Sequence, residues 1–287
     1  MSLYRLTDSG LEGIVTPSVV IALDGWVDAG TAATAAAGKL AEDGRLIAEF
    51  DADTLFDFRA RRPTLEIVDG RAAELTWAEL AMRHVRVGDR DLVIVSGAEP
   101  DYRWHELTAA MVELATSLRA AEWITLGAIP AAVPHTRSVP VLGTAPDPAL
   151  LRGGVQAGPT GTLRVPAACV SVIDHAVTDA GIPAVGYFAQ VPHYINGAYP
   201  AASVELLTVL GRHLGLELPL GDLPSQARQM RTRLDTAAAL DETTRQYVER
   251  LETMADEARL PSGDELISEI ERFLREGGGQ GQGQRPN

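Results

Sequence analysis

Two histidines and two acidic residues stand where they could exchange protons with a ligand. His135 and His193 each follow a predicted strand, and histidine titrates near neutral pH more readily than any other side chain. Glu99 also follows a predicted strand and would serve as a general base if burial raised its pKa. We therefore treat His135, His193 and Glu99 as candidate catalytic residues, with Asp28 beside them. The alternative for each is structural: a subunit contact, a helix cap or a solvated side chain.

Loops at the ends of predicted strands carry the remaining candidates. The loop DGWVDAG follows the apolar run at 18–23, and GAEPD follows the run at 91–96. Parallel strands end at the same edge of a sheet, so these loops are expected to share a cleft. The turn GPTG at 158–161 adds a threonine hydroxyl. The candidate ligand-binding or interface residues are Asp24, Trp26, Asp28, Glu99, Asp101, Trp104, His135, Arg137, Thr160, His193 and Tyr194.

The spacing of glycine, serine, histidine and cysteine residues excludes several common kinds of functional site. Gly38-Lys39 is followed by leucine, so the chain lacks a phosphate loop of the type GxxxxGK[ST]. The sequence also lacks the GxSxG elbow of serine hydrolases. No two of the six histidines are four residues apart, and Cys169 is the one cysteine, so we predict no metal site. We expect no cofactor.

Strands alternate with helices along the first three quarters of the chain. The run SVVIAL at 18–23 precedes an alanine-rich helix predicted over 28–42. The same order recurs with strands at 91–96, 123–129 and 182–188 and with helices at 103–120, 165–180 and 201–214. This alternation predicts an α/β fold with a mostly parallel sheet flanked by helices. Short strands at 46–50, 64–68 and 73–76 are predicted to form an antiparallel insertion or a sheet edge.

The C-terminal quarter has a different pattern. It is richer in charged residues, and helical spacing places Tyr247, Val248, Leu251 and Met254 on one stripe. A second stripe is predicted over 266–274. We predict an α/β domain over 1–220, a helical C-terminal extension over 221–276 and a disordered tail over 277–287.

The amino-acid composition limits the classes of partner that the protein is expected to bind. The 25 basic and 39 acidic residues give a net charge of −14, which disfavours binding to nucleic acid or to an anionic membrane surface. The apolar runs are too short to span a bilayer, and Met1 to Gly10 lacks the layout of a signal peptide. We therefore expect a cytoplasmic protein with no membrane or nucleic-acid partner.

Several separated motifs, in order, resemble those of one family. The resemblance is to the proteasome assembly chaperone family, second type, in its actinobacterial branch, and it extends over roughly residues 4–275. The motifs are LDGWVDAGTAATAA at 23–36, SGAEPDYRW at 96–104, GAIPAAVPHTR at 127–137, GPTG at 158–161, VPHYINGAYP at 191–200, and the C-terminal YVERLE and SGDELISEIERFLR.

The resemblance implies a phosphorylase/hydrolase-like α/β fold with a helical C-terminal extension and no established catalytic residues. Eukaryotic and archaeal relatives are non-catalytic chaperones for proteasome α subunits, which they engage through a C-terminal hydrophobic-tyrosine-x motif. This chain ends in Gln284-Arg285-Pro286-Asn287 and lacks that motif.

Three functions remain open from the sequence. The resemblance favours a non-catalytic chaperone or scaffold that contacts proteins, proteasome subunits among them. The alternative is a small-molecule enzyme of phosphorylase/hydrolase type that acts on a nucleoside-like substrate with an acid/base pair in strand-end loops. The third is a purely structural oligomer. The amphipathic C-terminal stripes predict a homo-oligomer, for which we expect a trimer.

Overall fold

The computed structural model describes residues 3–257, which form ten strands, seven α-helices and two short 3₁₀ helices. The strands are β1 (Tyr4–Leu6), β2 (Ser18–Leu23), β3 (Arg45–Phe50), β4 (Thr64–Val68), β5 (Arg71–Thr76), β6 (Leu80–Val87), β7 (Arg90–Gly97), β8 (Glu122–Ala131), β9 (Val141–Thr144) and β10 (Ala184–Pro192). The helices are α1 (Ala32–Ala41), α2 (Ala52–Leu55), α3 (Trp104–Ser117), α4 (Cys169–Asp179), α5 (Pro200–Leu214), α6 (Leu223–Leu240) and α7 (Glu242–Glu257). In this part of the chain, no helix combines the length and the apolar character needed to cross a membrane.

Eight strands form one sheet in the order β1-β3-β6-β7-β2-β8-β10-β9. The central strands β7, β2, β8 and β10 are parallel, and antiparallel strands extend the sheet on both sides. Because β3 is antiparallel to β6, it runs in the same direction as the central four. The predicted α/β class, a mostly parallel sheet flanked by helices, is confirmed.

The sheet is buried on both faces at its centre. Val19, Ile21 and Leu23 of β2 belong to the core beneath α3 and α4, whereas Val20 and Ala22 belong to the core beneath α1 and α5. Successive strand residues point to opposite faces, so a strand covered on both sides needs an unbroken apolar run. The sequence SVVIAL meets that requirement, which places β2 in the middle of the sheet.

The region between β2 and β7 differs in part from the sequence-based prediction. The segment at 46–50 is β3 of the main sheet, while β4 and β5 form a separate two-stranded hairpin. The prediction omitted β1, β6 and β9. It also began the helix over 165–180 four residues too early, because Pro166 and the extended Ala168 precede the first turn of α4.

The C-terminal helices pack on the α/β layers. Helix α6 contacts α5, and α7 contacts α6. Within the predicted stripe of α7, Val248 and Leu251 are buried, whereas Met254 is exposed. The second predicted stripe over 266–274 and the tail over 277–287 lie outside the described residues.

Gly97, the last residue of β7, is held where its backbone touches a neighbouring strand. Its φ is +147°, and a Cβ built there would lie 2.0 Å from the carbonyl oxygen of Glu79. Since that atom belongs to the backbone, it cannot move aside as a side chain would. Gly70, in the hairpin turn, also has a positive φ of +76°, but a Cβ there would meet no atom within 4 Å.

We predict that Gly97→Ala lowers the free energy of unfolding by at least about 2 kcal/mol more than Gly70→Ala does. Both substitutions strain a positive φ, and only the first adds a collision with backbone. Urea unfolding followed by circular dichroism measures the difference. Equal losses for the two variants would show that the β7 end tolerates a side chain.

Candidate functional site

The first cluster of candidate residues lies where neighbouring strands send the chain to opposite faces. Strands β2 and β7 are adjacent and parallel, with Leu23 opposite Gly97. The chain leaves β2 towards α1 on one face and leaves β7 towards α3 on the other. The two loops therefore meet at the position beyond the strand ends where open α/β sheets commonly bind ligands.

Asp24 ties the two loops together. Its Oδ1 accepts a hydrogen bond of 2.8 Å from the backbone N–H of Glu99. Its Oδ2 accepts one of 2.8 Å from Nη1 of Arg61. The carboxylate of Asp24 thus has a charged partner on one oxygen and a backbone donor on the other.

Glu99 joins the same loops to α4. Its Oε1 accepts a hydrogen bond of 2.7 Å from the backbone N–H of Cys169, the first residue of that helix. Its Oε2 lies 3.5 Å from the backbone nitrogen of Trp26. A carboxylate at a helix N-terminus satisfies an unpaired N–H and interacts favourably with the helix dipole. Both oxygens of the candidate base are therefore used within the protein.

The outer edge of these two loops, which we call the rim, is partly aromatic. Trp26 and Tyr102 are exposed, and the Tyr102 hydroxyl donates to Asp57 at 3.2 Å. Asp101 accepts a hydrogen bond of 2.8 Å from the backbone N–H of Asp57. Trp104 donates its indole N–H to the carbonyl oxygen of Pro100 and is half-buried. These contacts brace the rim and leave two aromatic rings facing solvent.

Asp28 serves the first turn of α1. Its Oδ1 accepts hydrogen bonds from the backbone N–H groups of Ala33, at 2.7 Å, and Thr34, at 3.3 Å, and Oδ2 accepts the hydroxyl of Thr34. Burial raises the pKa of Asp28, and the bond from Thr34 opposes that effect. The carboxyl group satisfies otherwise unpaired donors of the helix.

Thr160 lies apart, in the loop between β9 and α4. It is exposed, and no hydrogen bond joins its side chain to another described residue.

His135 belongs to a second cluster, beneath α6. Its backbone N–H donates to the hydroxyl of Tyr194 at 2.8 Å, and the same hydroxyl lies 2.7 Å from Nδ1. Nε2 faces Oδ1 of Asp235 at 3.2 Å. Burial lowers the pKa of His135, against the opposing effect of Asp235. Both nitrogens of the imidazole have partners within the fold.

His193 and Arg137 extend this second cluster to α7. Nδ1 of His193 donates to the carbonyl oxygen of Ala131 at 3.0 Å, which leaves Nε2 to accept the hydroxyl of Tyr247 at 2.9 Å. Arg137 contacts Asp256 at 2.8 Å and Glu252 at 3.2 Å. The loops after β8 and β10 thus hold the C-terminal helices in place.

The sequence candidates therefore fall into two groups. Asp24 and Glu99 contact each other, His135 contacts Tyr194, and no hydrogen bond or ion pair joins Glu99 to either histidine among residues 3–257. Arg61 was missed, although three arginines at 59, 61 and 62 stand out in an acidic chain. Over the same described range, no group of three or more histidine, cysteine or acidic residues could hold a metal ion.

Comparison with known proteins places this chain among related sequences. The model of the PAC2 family matches residues 22–238. A comparison with curated proteins finds no match.

Solved structures resemble the whole architecture. A protein of unknown function from Corynebacterium glutamicum is 30% identical, with a TM-score of 0.83 over 89% of this chain and 97% of its own. A PAC2 family protein from Streptomyces avermitilis is 36% identical, with a TM-score of 0.72 over 81% and 99%. A proteasome-assembly chaperone homologue from Mycobacterium tuberculosis is also 36% identical, with a TM-score of 0.71 over 80% and 99%.

We predict that His135→Ala lowers the free energy of unfolding by about 1 to 3 kcal/mol, because it leaves Tyr194 and Asp235 without their buried partner. His193→Ala should cost less, about 1 kcal/mol or below, since that side chain is exposed. Urea unfolding of both variants against wild type makes the comparison. Unchanged stability in His135→Ala would refute a structural role for this histidine.

Proposed function

The chain belongs to the PAC2 family, and from that premise we propose that it is a non-catalytic assembly chaperone or scaffold that binds proteasome subunits. The family membership expected from the sequence motifs is confirmed by the family model and by relatives that bear the names PAC2 family protein and proteasome-assembly chaperone homologue. Chaperone action through protein contacts is the function that this kinship supports.

The observation that carries the proposal is an exposed apolar hairpin. Every residue of β4 and β5 is exposed. We define the hairpin surface as Leu65, Ile67, Val68, Leu75 and Trp77, which are 47% to 63% exposed. An isolated two-stranded hairpin is marginally stable in water, and clustered exposed apolar side chains mark sites of protein contact. A partner that covered this surface would remove that apolar area from water.

The hairpin surface is linked by ring and hydrogen-bond contacts to the loops after β2 and β7. Trp77 packs edge-on against Phe58, with ring centroids 4.7 Å apart. Phe58 lies in the segment that supplies Asp57 and Arg61 to the first cluster. The hairpin surface and the aromatic rim are therefore anchored to the same segment, which supports their use by one partner.

The enzymatic alternative has less support. Both oxygens of Glu99 and both ring nitrogens of His135 are engaged by other groups of the protein. A general base must lie within hydrogen-bond reach of the substrate proton that it removes. The atoms of Glu99 and His135 that could do this are already hydrogen-bonded to other groups of the protein.

We predict that Ile67→Asp weakens binding to purified actinobacterial proteasome α subunits by about tenfold or more, because it places a charge at the centre of an apolar contact. Val15→Asp is the matched control, since Val15 is 70% exposed and lies outside the hairpin. Biolayer interferometry with immobilised α subunits measures both affinities. Wild-type binding that is absent, or equally weakened by the two variants, would contradict the proposal.

We also propose a cytoplasmic homo-oligomer, with three copies as the expected number. Val248 and Leu251 of the predicted α7 stripe are buried within the chain and Met254 remains exposed, so the proposal relies mainly on closed symmetry as the usual outcome for soluble homo-oligomers. Light scattering should give about three times the 30.6 kDa mass of one chain. A mass near that of the single chain across micromolar concentrations would refute it.

A further inference from the structure

A cavity of about 340 Å³ opens beside α4, on the sheet face that α3 and α4 cover. Residues 144–146, at the end of β9, form one wall, and residues 184–186, at the start of β10, form another. The helix contributes Asp174 and Thr178. Neither cluster described above takes part in this lining. Its volume falls in the lower range of small-molecule sites.

Asp174 presents a carboxyl group with one oxygen engaged and the other open. Oδ1 accepts the indole N–H of Trp123 at 3.0 Å and the hydroxyl of Thr125 at 2.5 Å. Both donors come from β8, and both residues are fully buried. No residue between 3 and 257 donates a hydrogen bond to Oδ2 or forms an ion pair with this carboxyl group.

Such a carboxyl group calls for a positive partner. Burial raises the pKa of Asp174 to about 7, and the bonds from Thr125 and Trp123 oppose that effect. Asp174 is only partly buried, and a positive partner at its open oxygen would favour the ionised form. The two neutral donors compensate one oxygen and leave the second to a group that enters the cavity.

The charged residues near Asp174 limit which kind of ligand group can bind its open oxygen. Asp179 and His175 line the same cavity and form an exposed pair at 3.0 Å, and the two strand walls contribute no ionisable side chain. On β8, Glu122 is engaged by Ser18 and His213. Negative charge therefore exceeds positive charge at the cavity, which repels an anionic guest.

We propose that this cavity binds a small primary ammonium compound, with the ammonium group donating to Oδ2 of Asp174 and a short aliphatic chain against the walls. Ala145, Pro146 and Val185 supply an apolar lining for the chain. A neutral or anionic guest would leave Oδ2 without a charged donor. The proposal is independent of any proteasome partner, because the hairpin surface and the cavity share no residue.

The probe is n-butylammonium at pH 8, above the pKa of about 7 of the Asp174 carboxyl group. The signal is the indole N–H resonance of Trp123 in ¹⁵N–¹H correlation spectra, assigned with Trp123→Phe. We expect a saturable shift with n-butylammonium. The neutral analogue n-butanol and the anion butyrate, of equal chain length, should bind at least about tenfold more weakly, as the loss of a charge-assisted hydrogen bond requires.

Three variants separate the carboxyl group from the cavity itself. Asp174→Asn keeps an acceptor for Trp123 and Thr125 but removes the charge, and it should weaken n-butylammonium binding about 10-fold to 100-fold. Glu66→Gln, a control that removes one negative charge from the exposed strand β4 outside the cavity lining, should change it less than about threefold. Ala145→Leu fills the cavity, leaves Asp174 in place and should abolish binding.

Ala145→Leu keeps the test valid if Asp174→Asn fails to fold. The proposal is overturned if n-butylammonium produces no saturable shift, if n-butanol binds as tightly, or if a folded Asp174→Asn or Ala145→Leu protein retains wild-type affinity.

Discussion

The structure depends on one junction, the ends of β2 and β7. Two adjacent parallel strands send their chains to opposite faces, so the loops that follow would separate without a crosslink. Asp24 supplies the link by binding the backbone N–H of Glu99 and the guanidinium of Arg61. Glu99 then holds the first turn of α4. These contacts connect the loops after β2 and β7 to helix α4 and to the segment from which the hairpin projects.

Hydrogen bonds within the protein also explain why residues of types suited to catalysis have structural roles here. Each ring nitrogen of His135 has a partner, as does each oxygen of Asp24 and Glu99. Among residues 3–257, the two features that we propose for contact with other molecules are the apolar hairpin surface and the open oxygen of Asp174 in a cavity on the α4 side. The first suits a protein partner and the second a small cation.

The sequence predicts the centre of the fold better than its edges, for a physical reason. β2, β7 and β8 are covered on both faces and read as unbroken apolar runs. The partly exposed β6 mixes arginines with apolar residues, and β9 has only four residues including a glycine, so neither gives a clear pattern. Site contacts are harder still: Arg61 is 37 positions from Asp24, and Asp235 is 100 from His135. The local sequence pattern does not indicate pairs so far apart in the chain, although it did identify His135, Glu99 and Asp24 as residues in strand-end loops.

The central claim, that this protein works by contact through the hairpin surface, is tested most directly by hydrogen–deuterium exchange with and without purified proteasome α subunits. The account predicts slower exchange over residues 64–77 and 24–28 in the mixture, with the central strands unchanged because they are already buried. Protection confined to the loops around His135 and His193, or no protection anywhere in the chain, would contradict it.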